Sequence, residues 1–150
     1  MLECKIDILV EWGHCDPARI VYNPNFFDWM EHGLSALFSA SGFSLADTLA
    51  AHPELRGTPL VRSEAEFKGP ARVGDTLVLS SKVVRWGRTS FDIAYDFLLD
   101  GETIVTAKQT RVWSGVDETG QLRALPIPGE IREALSRSAT VSFSTVRQEN

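Results

Sequence analysis

Cysteine is scarce in this chain of 150 residues, with Cys4 and Cys15 its two members. At most one bridge could form, so the multi-disulfide scaffolds of small secreted domains are excluded. The segment Met1-Leu2-Glu3-Cys4-Lys5 enters an alternating pattern at once and lacks the basic and apolar regions of an export leader. Two reduced thiols in a cytoplasmic protein are therefore expected. Long hydrophobic runs are missing as well, and no membrane span is expected. Positive charge is in deficit, with 15 Lys and Arg against 20 Asp and Glu and a formal net charge of -5. That balance argues against a general nucleic-acid binder, while a local basic cluster could still hold the phosphates of a small ligand. His14, His32 and His52 are not spaced with the cysteines as a ligand set, so no metal site is expected.

What is present suffices for one core. A hydrophobic content of 43% over this length fits a single domain. It is read here as residues 1–136, followed by a flexible, Ser-rich C-terminal tail at 137–150. Ile6, Ile8, Val10 and Trp12 alternate with more polar neighbours, the period of a strand with one buried face. Phe26, Phe27, Met30, Leu34, Leu37 and Phe38 recur at three- and four-residue steps, predicting a long helix over Pro24 to Ser41 with Gly42 as its cap. Ser44-Leu45-Ala46-Asp47 predicts a short second helix.

From Thr58 onward the period returns to two. A strand containing Val61, Ser63, Ala65 and Phe67 precedes one over Asp75 to Arg85, another over Phe91 to Leu99, and a last strand from Glu102 to about Val116. Asp100-Gly101 predicts a tight hairpin turn, and Gly129 to Leu135 a short amphipathic helix. One long helix and a meander of strands imply an α+β fold in which an antiparallel sheet wraps a central helix. Such a sheet leaves edges that pairing between copies would protect, so a homodimer or homotetramer is expected.

The chemistry gathers in Glu11-Trp12-Gly13-His14-Cys15-Asp16-Pro17-Ala18-Arg19-Ile20-Val21-Tyr22-Asn23-Pro24. This segment delivers a turn carboxylate, Asp16, to a helix start. Asn23 is a preferred N-cap and Pro24 suits the first helical position, so free N–H groups and the positive end of a helix dipole collect beside Asp16. A carboxylate can act as nucleophile or general base, and a helix N-terminus can stabilise an oxyanion. Taken alone, Asp16 reads more readily as an ordinary turn residue, because aspartate favours turns whatever a protein does. Cys15 beside His14 reads as packing rather than as a nucleophile and its base, because neighbours in an extended segment point to opposite sides.

The run Cys15 to Phe26, followed by Gly57-Thr58-Pro59 and by Trp86-Gly87-Arg88-Thr89-Ser90-Phe91, resembles the hotdog-fold 4-hydroxybenzoyl-CoA thioesterase family over roughly Lys5 to Pro128. The resemblance implies hydrolysis of an aromatic acyl-CoA to free acid and coenzyme A, with no cofactor beyond the coenzyme A of the substrate. It implies that Asp16 attacks the thioester or activates water, and that the backbone N–H of Asn23 polarises the carbonyl. Glu31 takes the place of an acidic residue, usually Asp, that meets the hydroxyl of the acyl group. Arg88 and Ser90, with Arg85, fall at the turn that contacts the nucleotide. Arg19 departs from the family's usual glycine. A short-chain aliphatic acyl-CoA thioesterase and a non-catalytic acyl-CoA-binding module are the alternatives, and Glu31 and Arg88 also fit a solvated helix face and a solvated hairpin.

Overall fold

The period-two segment at the N-terminus forms β1 (Leu2–Leu9) in a computed structural model that describes residues 1–144. Leu2, Cys4 and Ile8 point into the core. The strand stops short of Trp12, which the alternation places on the buried face. Trp12 instead opens a single 3₁₀ turn, Trp12–His14, and is 86% exposed. The physical reason is that Val10 already closes the pairing, donating its N–H to Asp75 O at 2.8 Å, and the chain then turns away from the sheet.

The long helix α1 (Pro24–Ser41) has the predicted limits, and Gly42 ends it at φ 90°. It buries Phe26, Trp29, Met30, Leu34, Leu37 and Phe38 on one stripe. Gly33 lies on that stripe where the helix meets the sheet: a Cβ there would sit 2.6 Å from Ser81 Oγ and 2.9 Å from Leu79 Cδ2. The short helix α2 (Leu45–Ala51) begins as predicted, with Ser44 Oγ accepting the Asp47 N–H at 3.2 Å.

Four strands follow: β2 (Leu55–Gly57), β3 (Leu60–Phe67), β4 (Thr76–Trp86) and β5 (Ser90–Leu99). Asp100 and Gly101, at φ 51° and 81°, make the hairpin turn into β6 (Glu102–Val112). The expected continuous strand to Val116 breaks at Trp113, which is buried and stacks on Phe38 at 6.4 Å. Beyond the break, β7 (Ser114–Val116) and β8 (Leu122–Ala124) join β2 in a separate three-stranded sheet. The chain closes with α3 (Gly129–Ser136), which buries Ile131 and Leu135, and with β9 (Ala139–Phe143).

The main sheet has the order β3-β6-β5-β4-β1-β9, antiparallel throughout except for the parallel pair of β1 and β9. This corrects part of the expected tail. Ala139 to Phe143 pair with Leu2 to Ile6, and Arg137 Nη2 donates to Ala40 O at 2.8 Å just before them. The Ser-rich composition hides a strand whose partner, the open edge of β1, is remote in sequence. The remainder of the expected tail, 145–150, lies outside the described residues.

Candidate active site

Asp16 sits where the chain reverses between Cys15 and Val21, which pair as an isolated antiparallel bridge. Asp16 N–H donates to Ile20 O at 3.1 Å, and Arg19 N–H donates back to Asp16 O at 2.8 Å. Asp and Pro favour the first two positions of such a turn, because the carboxylate can bond backbone ahead of it and the ring presets φ. Asp16 Oδ1 does bond ahead, accepting the Ala18 N–H at 2.8 Å. Oδ2 has no partner among the described residues. The turn is completed by Arg19 at φ 65°, a left-handed conformation in which a non-glycine residue is uncommon.

The other arm of the loop leads into α1. Tyr22 N–H donates to His14 O at 2.9 Å and Asn25 Nδ2 donates to the same oxygen at 2.7 Å, so the two arms are tied together. Asn23 is corrected in one respect: its backbone is already helical, at φ -48° and ψ -41°, and its side chain makes no capping bond. A capping side chain needs an extended backbone to swing back onto free N–H groups. Here those groups are also taken, since Asn25 N–H donates to Tyr22 O at 2.9 Å and Phe26 N–H to Asn23 O at 3.1 Å. Pro24 has no N–H. The Asn23 N–H is thereby left without a hydrogen-bond partner among the described residues, at the positive end of an 18-residue helix.

His14 contributes its carbonyl rather than its ring to this arrangement. Its Nδ1 accepts the Glu11 N–H at 2.8 Å, and its ring edge packs on Trp29 at 5.0 Å. The half-buried Cys15 directs its thiol toward Glu11 O at 4.0 Å. Burial pushes the Cys4 thiol up to about 11.

Glu31 lies eight residues along α1 from Asn23, about 12 Å of axial rise. The structure gives it a partner that the sequence reading missed. Glu31 Oε1 is bonded by Arg111 Nη2, and the Arg111 side chain is only 5% exposed against 52% for Glu31. Arg111 also donates to Thr58 O at 3.1 Å and, through Nε and Nη2, to Gln109 Oε1 at 3.3 and 3.0 Å. The available signal was the alternation of β6: Val105, Ala107, Gln109 and Arg111 share the buried face, and two of the four are polar.

Arg88 and Ser90 flank the β4–β5 turn. Arg88 is exposed, and its guanidinium has no hydrogen bond or ion pair among the described residues. Arg85, by contrast, is held by Asp92, with Nε and Nη2 at 2.7 and 3.1 Å from the two carboxylate oxygens. Its Nη2 also donates to Ser90 Oγ at 3.2 Å. Those bonds from Arg85, with another from Thr110 Oγ1 at 2.7 Å, hold the Asp92 carboxyl below its usual range.

The structure thus places Asp16 and Asn23 on the two arms of one loop and Arg88 and Ser90 at a different turn. Leu9, beside the Asp16 loop, pairs with Thr76 at the start of β4, whereas Arg88 lies beyond Trp86 at its end. β4 is eleven residues long, so its two ends lie roughly 30 Å apart. Among the described residues, no group of three or more His, Cys, Asp or Glu side chains is arranged to hold a metal ion.

Residues 10–135 match the model of a family described as the thioesterase-like superfamily. The chain is 27% identical over 132 residues to 4-hydroxybenzoyl-CoA thioesterase of Pseudomonas sp. strain CBS-3, covering 85% of this chain and 93% of that one. Among solved structures, it is similar to an Asp-to-Asn mutant of 4-hydroxybenzoyl-CoA thioesterase complexed with 4-hydroxybenzoyl-CoA. That match has a TM-score of 0.81 and 25% identity, covering 89% of this chain and 99% of the other. A gentisyl-coenzyme A thioesterase, BH1999, shares the fold at a TM-score of 0.77 and 24% identity, covering 88% and 99%.

Proposed function

The chain belongs to the thioesterase-like superfamily, and from that premise we propose that it hydrolyses an aromatic acyl-CoA of the 4-hydroxybenzoyl type, with Asp16 and the Asn23 N–H as its reacting centre. The coarser activity, thioester hydrolysis on a hotdog fold, follows from its relatives. The observation that carries the assignment of the reacting centre is a turn-fixed carboxylate on the same loop as a partnerless N–H at the start of α1.

The thioester carbonyl accepts a hydrogen bond from Asn23 N–H, and the helix dipole adds to the stabilisation as the oxygen gains charge. Asp16 then works in one of two ways. Its free oxygen attacks the carbonyl carbon, forming a mixed anhydride that water cleaves, or it takes a proton from water as that water attacks. Either route consumes one water and yields the carboxylic acid and coenzyme A, whose thiolate leaves and is protonated. Glu31 meets the acyl group, and Arg88 with Ser90 meets the phosphates of the nucleotide.

The separation along β4 bears on assembly. The Asp16 loop adjoins one end of β4 and Arg88 the other, and the strand's length of roughly 30 Å exceeds the reach of the pantetheine arm, so one substrate molecule would use Asp16 of one copy and Arg88 of another. β3 offers the joining edge: it ends the main sheet, and Leu60, Val61 and Phe67 on it are exposed. A homodimer or homotetramer completes the site on this reading.

Thiol release from a panel of aromatic and aliphatic acyl-CoAs, with size measured by light scattering, tests the proposal. Aromatic turnover by an oligomer, lost in a folded Asp16→Asn variant, is the expected result. Preference for aliphatic substrates overturns the acyl assignment, and saturable binding without turnover overturns the hydrolytic one.

A further inference from the structure

An open cleft of about 410 Å³ lies beside α1, with Glu31 and Arg111 at its polar end and Leu34, Leu45, Leu49 and Leu122 among its apolar lining. We infer that Arg111 is a positioning residue: it holds Glu31 in the cleft and cancels its charge there, so that the enzyme selects neutral, hydroxylated aryl groups over anionic ones. This rests on the reading that the cleft receives the acyl end of the thioester.

The argument begins with the cost of a buried guanidinium. Arg111 is 4% exposed and must satisfy its donors within the protein. Two neutral acceptors, Thr58 O and Gln109 Oε1, fix its plane, and Gln109 Nε2 is in turn tied to Ser63 Oγ at 3.1 Å. The carboxylate of Glu31 supplies the countercharge through Oε1. Glu31 is half exposed and would otherwise sample many rotamers. Bonded to a rigid cation, it presents its second oxygen to the cleft as an acceptor with no partner among the described residues.

Such an end wall accepts a hydrogen bond from a ring hydroxyl. It gives an acidic ring substituent no reward from Arg111, whose charge Glu31 already neutralises, while Arg56, the other cation lining the cleft, is turned onto Pro53 O and Leu55 O, and a carboxylate beside the free oxygen of Glu31 would meet repulsion. Removing the negative charge while keeping the shape should invert that preference, since Arg111 would then lack a countercharge. Removing Arg111 should not.

The test compares kcat/KM for benzoyl-CoA, 4-hydroxybenzoyl-CoA and 4-carboxybenzoyl-CoA in the wild type, Glu31→Gln and Arg111→Met. In the wild type the hydroxylated substrate is expected to lead and the carboxylated one to trail. In Glu31→Gln the hydroxyl preference over benzoyl-CoA falls about tenfold and the carboxylated substrate gains about tenfold relative to benzoyl-CoA. In Arg111→Met the hydroxyl preference falls similarly and the carboxylated substrate gains nothing. Equal losses on all three substrates in Arg111→Met would mean a structural role alone, and unchanged ratios in Glu31→Gln would remove the pair from specificity. Should Arg111→Met fail to fold, the carboxylate gain in Glu31→Gln decides the matter by itself. A folded wild type that releases thiol from none of the three overturns the aromatic-acyl reading and this inference with it, whereas unchanged ratios in an active enzyme overturn only the inference.

Discussion

Ala18 donates its backbone N–H to Asp16 Oδ1 at 2.8 Å, so the turn that presents the carboxylate also occupies one of its oxygens. Asn can accept the same bond through its amide oxygen. Asp16→Asn is therefore expected to fold like the wild type while kcat falls about 10²–10⁴-fold. Asp16→Ala should lose the turn bond too and cost about 1 kcal/mol of stability. Thermal melts alongside thiol-release kinetics separate the two effects.

Arg88 carries the one guanidinium at the β4–β5 turn that is not committed to Asp92. Charge reversal by Arg88→Glu should raise KM for acyl-CoA about tenfold with kcat changed less than about twofold, and the effect should shrink as salt rises. An unchanged KM would remove Arg88 from the nucleotide site.

Gly33 is the contact point between α1 and the sheet, and the clash there is with Ser81 and Leu79, both fully enclosed. Ala elsewhere on a helix would stabilise it, but Gly33→Ala should destabilise by about 1–3 kcal/mol through overpacking. Urea denaturation checks the sign.

Arg19 holds a φ of 65°. A left-handed residue with a side chain costs roughly 1–2 kcal/mol, and glycine gives back roughly 0.5–1 kcal/mol through its freer unfolded chain. Arg19→Gly should therefore gain up to about 1.5 kcal/mol in a denaturant titration. A loss of stability would mean that the Arg19 side chain makes a compensating contact in the assembly.

Asp92 is ionised more readily in the fold than in the open chain because Arg85 and Thr110 bond its charged form. A depressed folded value stabilises above the unfolded carboxylate range, near pH 4, and that contribution fades as pH falls below it. Asp92→Asn is expected to cost about 1–3 kcal/mol at neutral pH. Its deficit relative to the wild type should narrow below about pH 4, as read from urea midpoints at several pH values.

Local chemistry made much of this legible in advance. Pro24 and Gly42 mark the ends of α1, Ser44 starts α2, and Asp100-Gly101 turns the hairpin, because each acts on backbone within a few residues of itself. The same locality made Asp16 visible: Asp-Pro announces a turn, and the helix start follows within eight residues.

Other features depend on partners far along the chain. Glu31 reads in the sequence either as a contact for the acyl group or as a solvated helix-face carboxylate, and neither reading foresees Arg111, which the fold sets against it from 80 residues away. Arg85 and Arg88 are alike in sequence, and only the strand pairing that delivers Asp92 tells the bound one from the free one. The C-terminal segment became β9 because the edge of β1 was open to it, and Asn23 lost its capping role because neighbouring carbonyls already held the N–H groups it would have bonded. The sequence by itself determined where the backbone turns and which faces are apolar, since φ preferences and periodicity are local. Tertiary structure decided which polar groups are satisfied and which stay free, since a buried charge or donor takes its partner from whatever the packed sheet brings within about 3 Å.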